Sequence, residues 1–122
     1  QLSGGMRKRA SLARTLAYNP PVVLMDEPFG ALDAETRTQL QSDLLELWAS
    51  EKKTILFVTH DINEAIALGD RVIVLSGSPG RVVQERRIDI DRPRDPELIF
   101  KAPTFAGHYD AIRDCLRSAG QP

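Results

Sequence analysis

A length of 122 residues allows one domain at most against about 150 residues per typical domain, and excludes a second independent core. The composition, 42% hydrophobic and 27% charged, suits a globular chain and excludes collagenous, disordered and membrane-spanning classes. With 16 Lys and Arg against 17 Asp and Glu, no overall positive field would draw the chain onto a phosphate backbone, and no nucleic-acid partner is expected.

From the N-terminus, Met6, Ala10, Ala13 and Ala17 recur at helical spacing and predict the apolar face of a helix over residues 3–18, stopped by Asn19-Pro20-Pro21. Arg7, Lys8 and Arg9 fan around that helix as a solvated face. Val22-Val23-Leu24-Met25 is a short unbroken apolar run before Asp26-Glu27-Pro28, which predicts a strand buried on both faces. After the connector Phe29-Gly30-Ala31-Leu32, Asp33 can cap a helix carrying Leu40, Leu44, Leu47 and Trp48 and ending near Ser50. Residues 54–59 repeat the buried-strand pattern, and strand, long helix, strand in this order predicts a parallel right-handed crossover. The fold class is therefore α/β.

Asp61 and Glu64 have capping-box spacing ahead of Ile62, Ala65, Ile66 and Leu68, with Gly69 as a left-handed stop. Two strands, 71–75 and 81–85, flank the turn-rich Ser76-Gly77-Ser78-Pro79-Gly80 and predict a hairpin that adds an antiparallel edge to the sheet. Charge and proline dominate 89–96, which reads as a linker, and Phe105, Tyr109, Ile112 and Leu116 then predict an amphipathic docking helix. Residues 118–122 have little to bury. Cys115 is the single cysteine, which excludes an internal disulfide and fits a reducing compartment. No apolar run approaches the roughly 18 residues that span a bilayer. The chain opens Gln1-Leu2-Ser3, with neither an initiator Met nor a secretory leader, and is expected to be a piece of something longer.

Four places carry residues suited to chemistry. Ser3-Gly4-Gly5 stands at a helix start, whose unpaired backbone N–H groups let an anion approach; a plain serine cap explains the same tripeptide. Asp26 and Glu27 close a strand in which side chains alternate faces, so the two carboxylates point apart and serve separate purposes. At the carboxyl edge of a parallel sheet, one suits Mg²⁺ held through water and the other an attacking water; a solvated strand end is the alternative. His60 ends the second strand at the same edge and can donate to a phosphate oxygen, although an isolated His is usually structural. Asp33 is both a cap and a candidate, whereas Asp61 is read as a cap only.

Taken in order, Leu2-Ser3-Gly4-Gly5-Met6, Leu24-Met25-Asp26-Glu27-Pro28, Ala31-Leu32-Asp33 and Val58-Thr59-His60-Asp61 resemble the nucleotide-binding domain of ATP-binding-cassette (ABC) transporters. They stand where that family has its signature sequence, Walker B strand, D-loop and switch histidine. The resemblance implies a partial P-loop NTPase fold over residues 1–88, a mainly parallel sheet with flanking helices and a C-terminal hairpin, followed by a linker and helical tail over 89–122. It implies ATP and Mg²⁺ as cofactors. Ser3, Gly4 and Gly5 would hold the γ-phosphate of an ATP bound mainly to the opposite subunit, and Asp26 would hold Mg²⁺ through water. Glu27 would be the general base or water-orienting group, His60 would sense the γ-phosphate, and Asp33 would couple two sites across a subunit interface. Met6 stands where the signature often has Gln; a similar Met occurs in importers. The segments Phe29–Asp33 and Ile88–Pro96 resemble the nitrate, sulfonate and taurine branch of bacterial importers.

That branch implies a second ATPase subunit, transmembrane permease subunits, an indirect link to a solute-binding protein, and a peripheral position on the cytoplasmic face of the bacterial inner membrane. The alternatives are a soluble ABC ATPase without a membrane partner and a non-enzymatic truncated remnant. The 122 residues contain no G-x-x-x-x-G-K-[ST] loop to cradle ATP phosphates. The chain alone is therefore expected to be inactive. In the family the strand leading to that loop lies between the strand ending at His60 and that of residues 71–75, so a gap in the sheet and poor independent folding are expected as well.

Overall fold

The computed structural model describes residues 4–77 and 79–119. The described residues form α1 (Gly4–Ala17), β1 (Val22–Asp26), α2 (Ala34–Glu51), β2 (Thr54–Val58), α3 (Ile62–Leu68), β3 (Arg71–Leu75), β4 (Val82–Arg87), a single 3-10 turn (Ile99–Lys101) and α4 (Phe105–Ser118). The chain divides into two compact units, residues 1–60 and 61–122. This overturns the expectation of one core, because each half closes short-range contacts of its own. The expected α/β class stands.

In the first unit β1 and β2 run parallel, Val22 opposite Thr54 through Asp26 opposite Val58, joined by the crossover helix α2. The expected burial on both faces does not hold. Val23 and Met25 are buried, but Val22 and Leu24 are exposed, Leu24 by 68%, and β2 also alternates. A crossover helix covers only the face it lies against, so a two-stranded parallel pair keeps one face open. In α1 the expected face of Met6, Ala10, Ala13 and Ala17 is exposed as well, and Leu12 is buried instead. The helix meets α2, and the bulky Leu12 outweighs methyl groups in choosing the contact line. Arg9 reaches across to Asp43 at 2.8 Å. α2 buries Leu40, Gln41 and Leu44. Its end is fixed by Lys52 in the left-handed region and by Trp48 Nε1–H donating to the Lys53 carbonyl at 2.8 Å.

In the second unit β3 and β4 pair antiparallel with a bulge at Val74/Leu75. The expected hairpin is present, but among the described residues it forms a separate two-stranded sheet and is not the edge of a larger one. Ile66, Ala67, Val74, Ile88, Ile99, Phe105 and Ile112 make the core, with Tyr109, Cys115 and Leu116 packed on it, so the tail helix docks through the residues its spacing predicts. Asp61 caps α3 by accepting from the Glu64 N–H at 3.2 Å.

Gly69 is not the left-handed stop expected; its φ is −84°. A Cβ there would meet the Ala65 carbonyl oxygen at 2.9 Å, so glycine is required for space. The expected linker is tied down by arginines. Arg94 donates to the carbonyls of Ile66, Gly69, Ile88 and Ile90, and Arg92 to the Leu68 carbonyl and to Asp70. These cations meet carbonyl groups at and beyond the end of α3, where the helix dipole favours positive charge. Contacts accordingly divide the chain at 60/61, and residues 89–119 share a unit with α3 and the hairpin.

Candidate functional site

Parallel strands end at the same edge, and β1 and β2 deliver Asp26 and Val58 there as register partners. The Glu27 N–H adds a last rung, donating to the Val58 carbonyl at 2.8 Å. Glu27 then takes φ 48°, a left-handed conformation that costs a non-glycine residue of order 1–3 kcal/mol and that clusters at functional sites. The turn that follows closes through Gly30 N–H to the Glu27 carbonyl at 3.3 Å and Leu32 N–H to the Phe29 carbonyl at 3.2 Å. Phe29, 1% exposed, anchors it against the Phe57 ring, centroids 5.7 Å apart.

Two residues past β2, His60 Nδ1 lies 2.7 Å from Glu27 Oε2; the His60 side chain is 87% exposed and that of Glu27 35%. Asp26 instead shares the open face of β1 with Val22 and Leu24. The neighbouring carboxylates thus occupy different environments, Asp26 on the open face of the strand and Glu27 turned toward His60 by its left-handed backbone.

Asp33 caps α2, accepting from the Thr36 N–H at 3.2 Å. Hydrogen bonding from Thr36, through its side chain first and its backbone second, holds the Asp33 carboxyl below its ordinary value. Gly4 and Gly5 open α1, and a Cβ at Gly4 would lie 3.4 Å from Leu32 Cδ2, so the helix start touches the turn between Glu27 and Asp33. Gly5, with Met6 and Arg9 of α1 and Glu35, Thr36 and Gln39 of α2, lines an open groove of about 280 Å³. Ser3, the first residue of the expected anion site, lies outside the described residues.

The structure therefore joins Glu27 to His60, sets Asp26 on the adjoining face, and brings Gly4 against the turn that leads to Asp33. Sequence reasoning missed Arg37. Its guanidinium donates from Nε to the Phe29 carbonyl at 3.3 Å and from Nη2 to the Leu32 carbonyl at 2.9 Å. Its position was the signal: a long side chain four residues after a cap points back toward the helix N-terminus and over the preceding loop.

Among the described residues no three His, Cys, Asp or Glu side chains gather into a metal cluster. The exposed Asp26 carboxylate is nonetheless a hard oxygen donor of the kind Mg²⁺ uses singly or in pairs beside substrate phosphates and water. That donor set fits Mg²⁺ held together with a phosphate ligand, and does not form an all-protein cage.

The ABC transporter family model matches residues 1–30. An uncharacterised ABC transporter ATP-binding protein of Methanocaldococcus jannaschii is 59% identical over 95 residues, 78% of this chain and 36% of the relative. The taurine import ATP-binding protein of Rhizobium johnstonii is 48% identical over 124 aligned positions, 97% of this chain and 47% of the relative. A solved dimeric ATP-binding cassette in a post-hydrolysis state, bound to ADP and phosphate, superposes with a TM-score of 0.59 at 43% identity, over 72% of this chain and 37% of that one. The chain spans less than half the length of the curated relatives it matches, and its fold is that part of a P-loop NTPase domain. With ordered motifs, strand edge and relatives in agreement, the chain belongs to the ATP-binding domains of ABC transporters.

Proposed function

We propose that this chain supplies the terminal-phosphate side of an ATP-hydrolysing site, in the ATPase subunit of an ABC importer for small anions such as nitrate, sulfonate or taurine. The observation that carries the reading is the 2.7 Å contact between His60 and Glu27 at the carboxyl edge of a parallel strand pair, where α/β folds bind ligands. Glu27 keeps Oε1 for a water, which it orients for in-line attack and whose proton it accepts. With Nδ1–H donated to Glu27, His60 would give Nε2–H to an oxygen of the γ-phosphate as the imidazolium, the one form in which both ring nitrogens donate. Backbone N–H groups of Gly4 and Gly5, with Ser3, receive the same phosphate at the start of α1.

Asp26 would hold Mg²⁺ through water; when bound, the ion supplies charge neutralisation on the phosphates. As the family resemblance implies, the glycines serve an ATP gripped mainly by a second ATPase subunit, and Asp33 lies at that interface. The dimeric relative supports this arrangement. The taurine import ATP-binding relative supports an import role, and with that role the proposal includes permease partners, an indirect solute-binding protein and a peripheral place at the cytoplasmic membrane face. No helix among the described residues is long and apolar enough to cross a membrane.

The test is Glu27→Gln in the assembled ATPase. Turnover should fall by about 10²–10⁴-fold, the span of a lost acid–base group, with ATP affinity within twofold or so of the parent. Retention of parental turnover would overturn the assignment of Glu27.

A further inference from the structure

The turn between Glu27 and Asp33 is where the separate parts of the site touch. Glu27 begins it in a left-handed conformation, Asp33 ends it as the α2 cap, and Leu32 in its middle meets the start of α1 at Gly4. Its own hydrogen bonds are sparse and long, Gly30 to Glu27 at 3.3 Å and Leu32 to Phe29 at 3.2 Å. Two further bonds come from one side chain, Arg37, whose fork spans the turn from the Phe29 carbonyl to the Leu32 carbonyl. A guanidinium suits this task because its donors are planar and fixed relative to one another; an ammonium is a point donor and holds such a pair of acceptors poorly. The Arg37 backbone N–H also donates to the Asp33 carbonyl at 2.9 Å, so the guanidinium is rooted in the first turn of the helix that Asp33 caps.

We propose that Arg37 is a positioning residue for the reaction: by clamping the carbonyls of Phe29 and Leu32 it fixes the Glu27 carboxylate toward His60 and holds Leu32 against Gly4 at the start of α1. The proposal rests on the ATPase reading for its effect on turnover, but not for its effect on the turn. In this reading Arg37 acts through the carbonyls of the turn and not on the substrate. Its removal therefore moves kcat and leaves the nucleotide KM in place, which distinguishes positioning from ground-state binding.

The test has two arms, each with Arg37→Ala, Arg37→Lys and Arg37→Gln. In the full 122-residue chain, amide hydrogen exchange of Gly30 and Leu32 should accelerate about tenfold in Arg37→Ala, while the paired amides of β1 and β2 change by less than about twofold, the pattern of local opening. Arg37→Lys should fall between parent and alanine. In the ATPase assembled with its second subunit, kcat should drop about tenfold or more with KM within about twofold, since small misplacement of catalytic groups costs that much.

Exchange that quickens uniformly through the unit, or not at all at Gly30 and Leu32, overturns the clamp. A loosened turn with unaltered kcat overturns the positioning role. Absence of hydrolysis by the parent assembly would instead count against the ATPase reading, and the exchange arm would still decide whether Arg37 holds the turn. Should Arg37→Ala not fold, the Lys and Gln variants carry the same comparison.

Discussion

Gly69 sets the terms at the residue scale. Its φ of −84° is open to any residue, yet a Cβ would stand 2.9 Å from the Ala65 carbonyl and 3.2 Å from that of Arg71, both backbone atoms that cannot swing aside. Gly69→Ala should cost about 1–3 kcal/mol, the usual penalty of overpacking, measured as a lowered urea midpoint at unchanged m-value. The caps at Asp33 and Asp61 were legible in sequence because a short acceptor before a helical pattern has one local use. Gly69 was misread because glycine serves both unusual dihedrals and close approach, and only the packed α3–β3 corner separates them. The divergence of the Asp26 and Glu27 carboxylates was expected from strand alternation, but β1 ends at Asp26 and the direction of Glu27 comes from its own backbone. The left-handed turn at Glu27 that aims its side chain at His60 had no counterpart in the pattern.

At the scale of elements, arginines and a histidine hold the tail more firmly than its composition suggests. Arg94 is pulled down to about 10 by burial first and by neighbouring Arg92 second, and so stays charged at neutral pH with its donors on four carbonyls. Arg94→Met should destabilise the second unit by about 3 kcal/mol, since each buried acceptor left unmet costs about 1–3 kcal/mol and such costs overlap; Arg94→Lys should recover part of that in a thermal melt.

On α4, His108 accepts from Arg86 at Nδ1, 2.7 Å, and its Nε2 lies 2.6 Å from Asp89. Hydrogen bonding from His108, and then from Thr104, lowers the Asp89 pKa below its ordinary value. The folded state thus prefers the ionised carboxylate, and the stability it lends is present above the ordinary aspartate value of about 3.9. It is lost as pH falls further. Exchange protection of α4 amides should hold from neutrality to about that value and decline below it, and Asp89→Asn should remove this acid-linked decline. The amphipathic period of α4 was legible from Phe105, Tyr109, Ile112 and Leu116, whereas the arginine clamps were not. They join residues some 20 to 30 positions apart, and charge-rich sequence carries no mark of its distant acceptors.

For the whole molecule, each unit closes contacts of its own, and each leaves apolar side chains in the open: Val22, Leu24, Leu56 and Val58 in the first, Ile73, Leu75, Val82 and Phe100 in the second. Unfolding should therefore not be two-state: Trp48 fluorescence, which reports the first unit, should change at a different temperature from near-UV dichroism of Tyr109 in the second. Coincident transitions would refute this. Apolar runs correctly named the strands, but length suggested one core, since a count of residues says nothing about which half closes its own contacts.

The division into two separate ladders has one more consequence. Among the described residues every strand is an edge strand, and the pairs are unequally protected against their own copies. The hairpin pairs Arg71 with Arg87, Val72 with Arg86 and Ile73 with Glu85, and so carries charges of the kind that act as gatekeepers against intermolecular cross-β stacking. Val22 to Met25 and Ile55 to Val58 carry none. Concentrated solutions should seed fibrils from the first unit, and a single Leu56→Lys exchange on its bare face should delay thioflavin-positive growth more than any change in the hairpin.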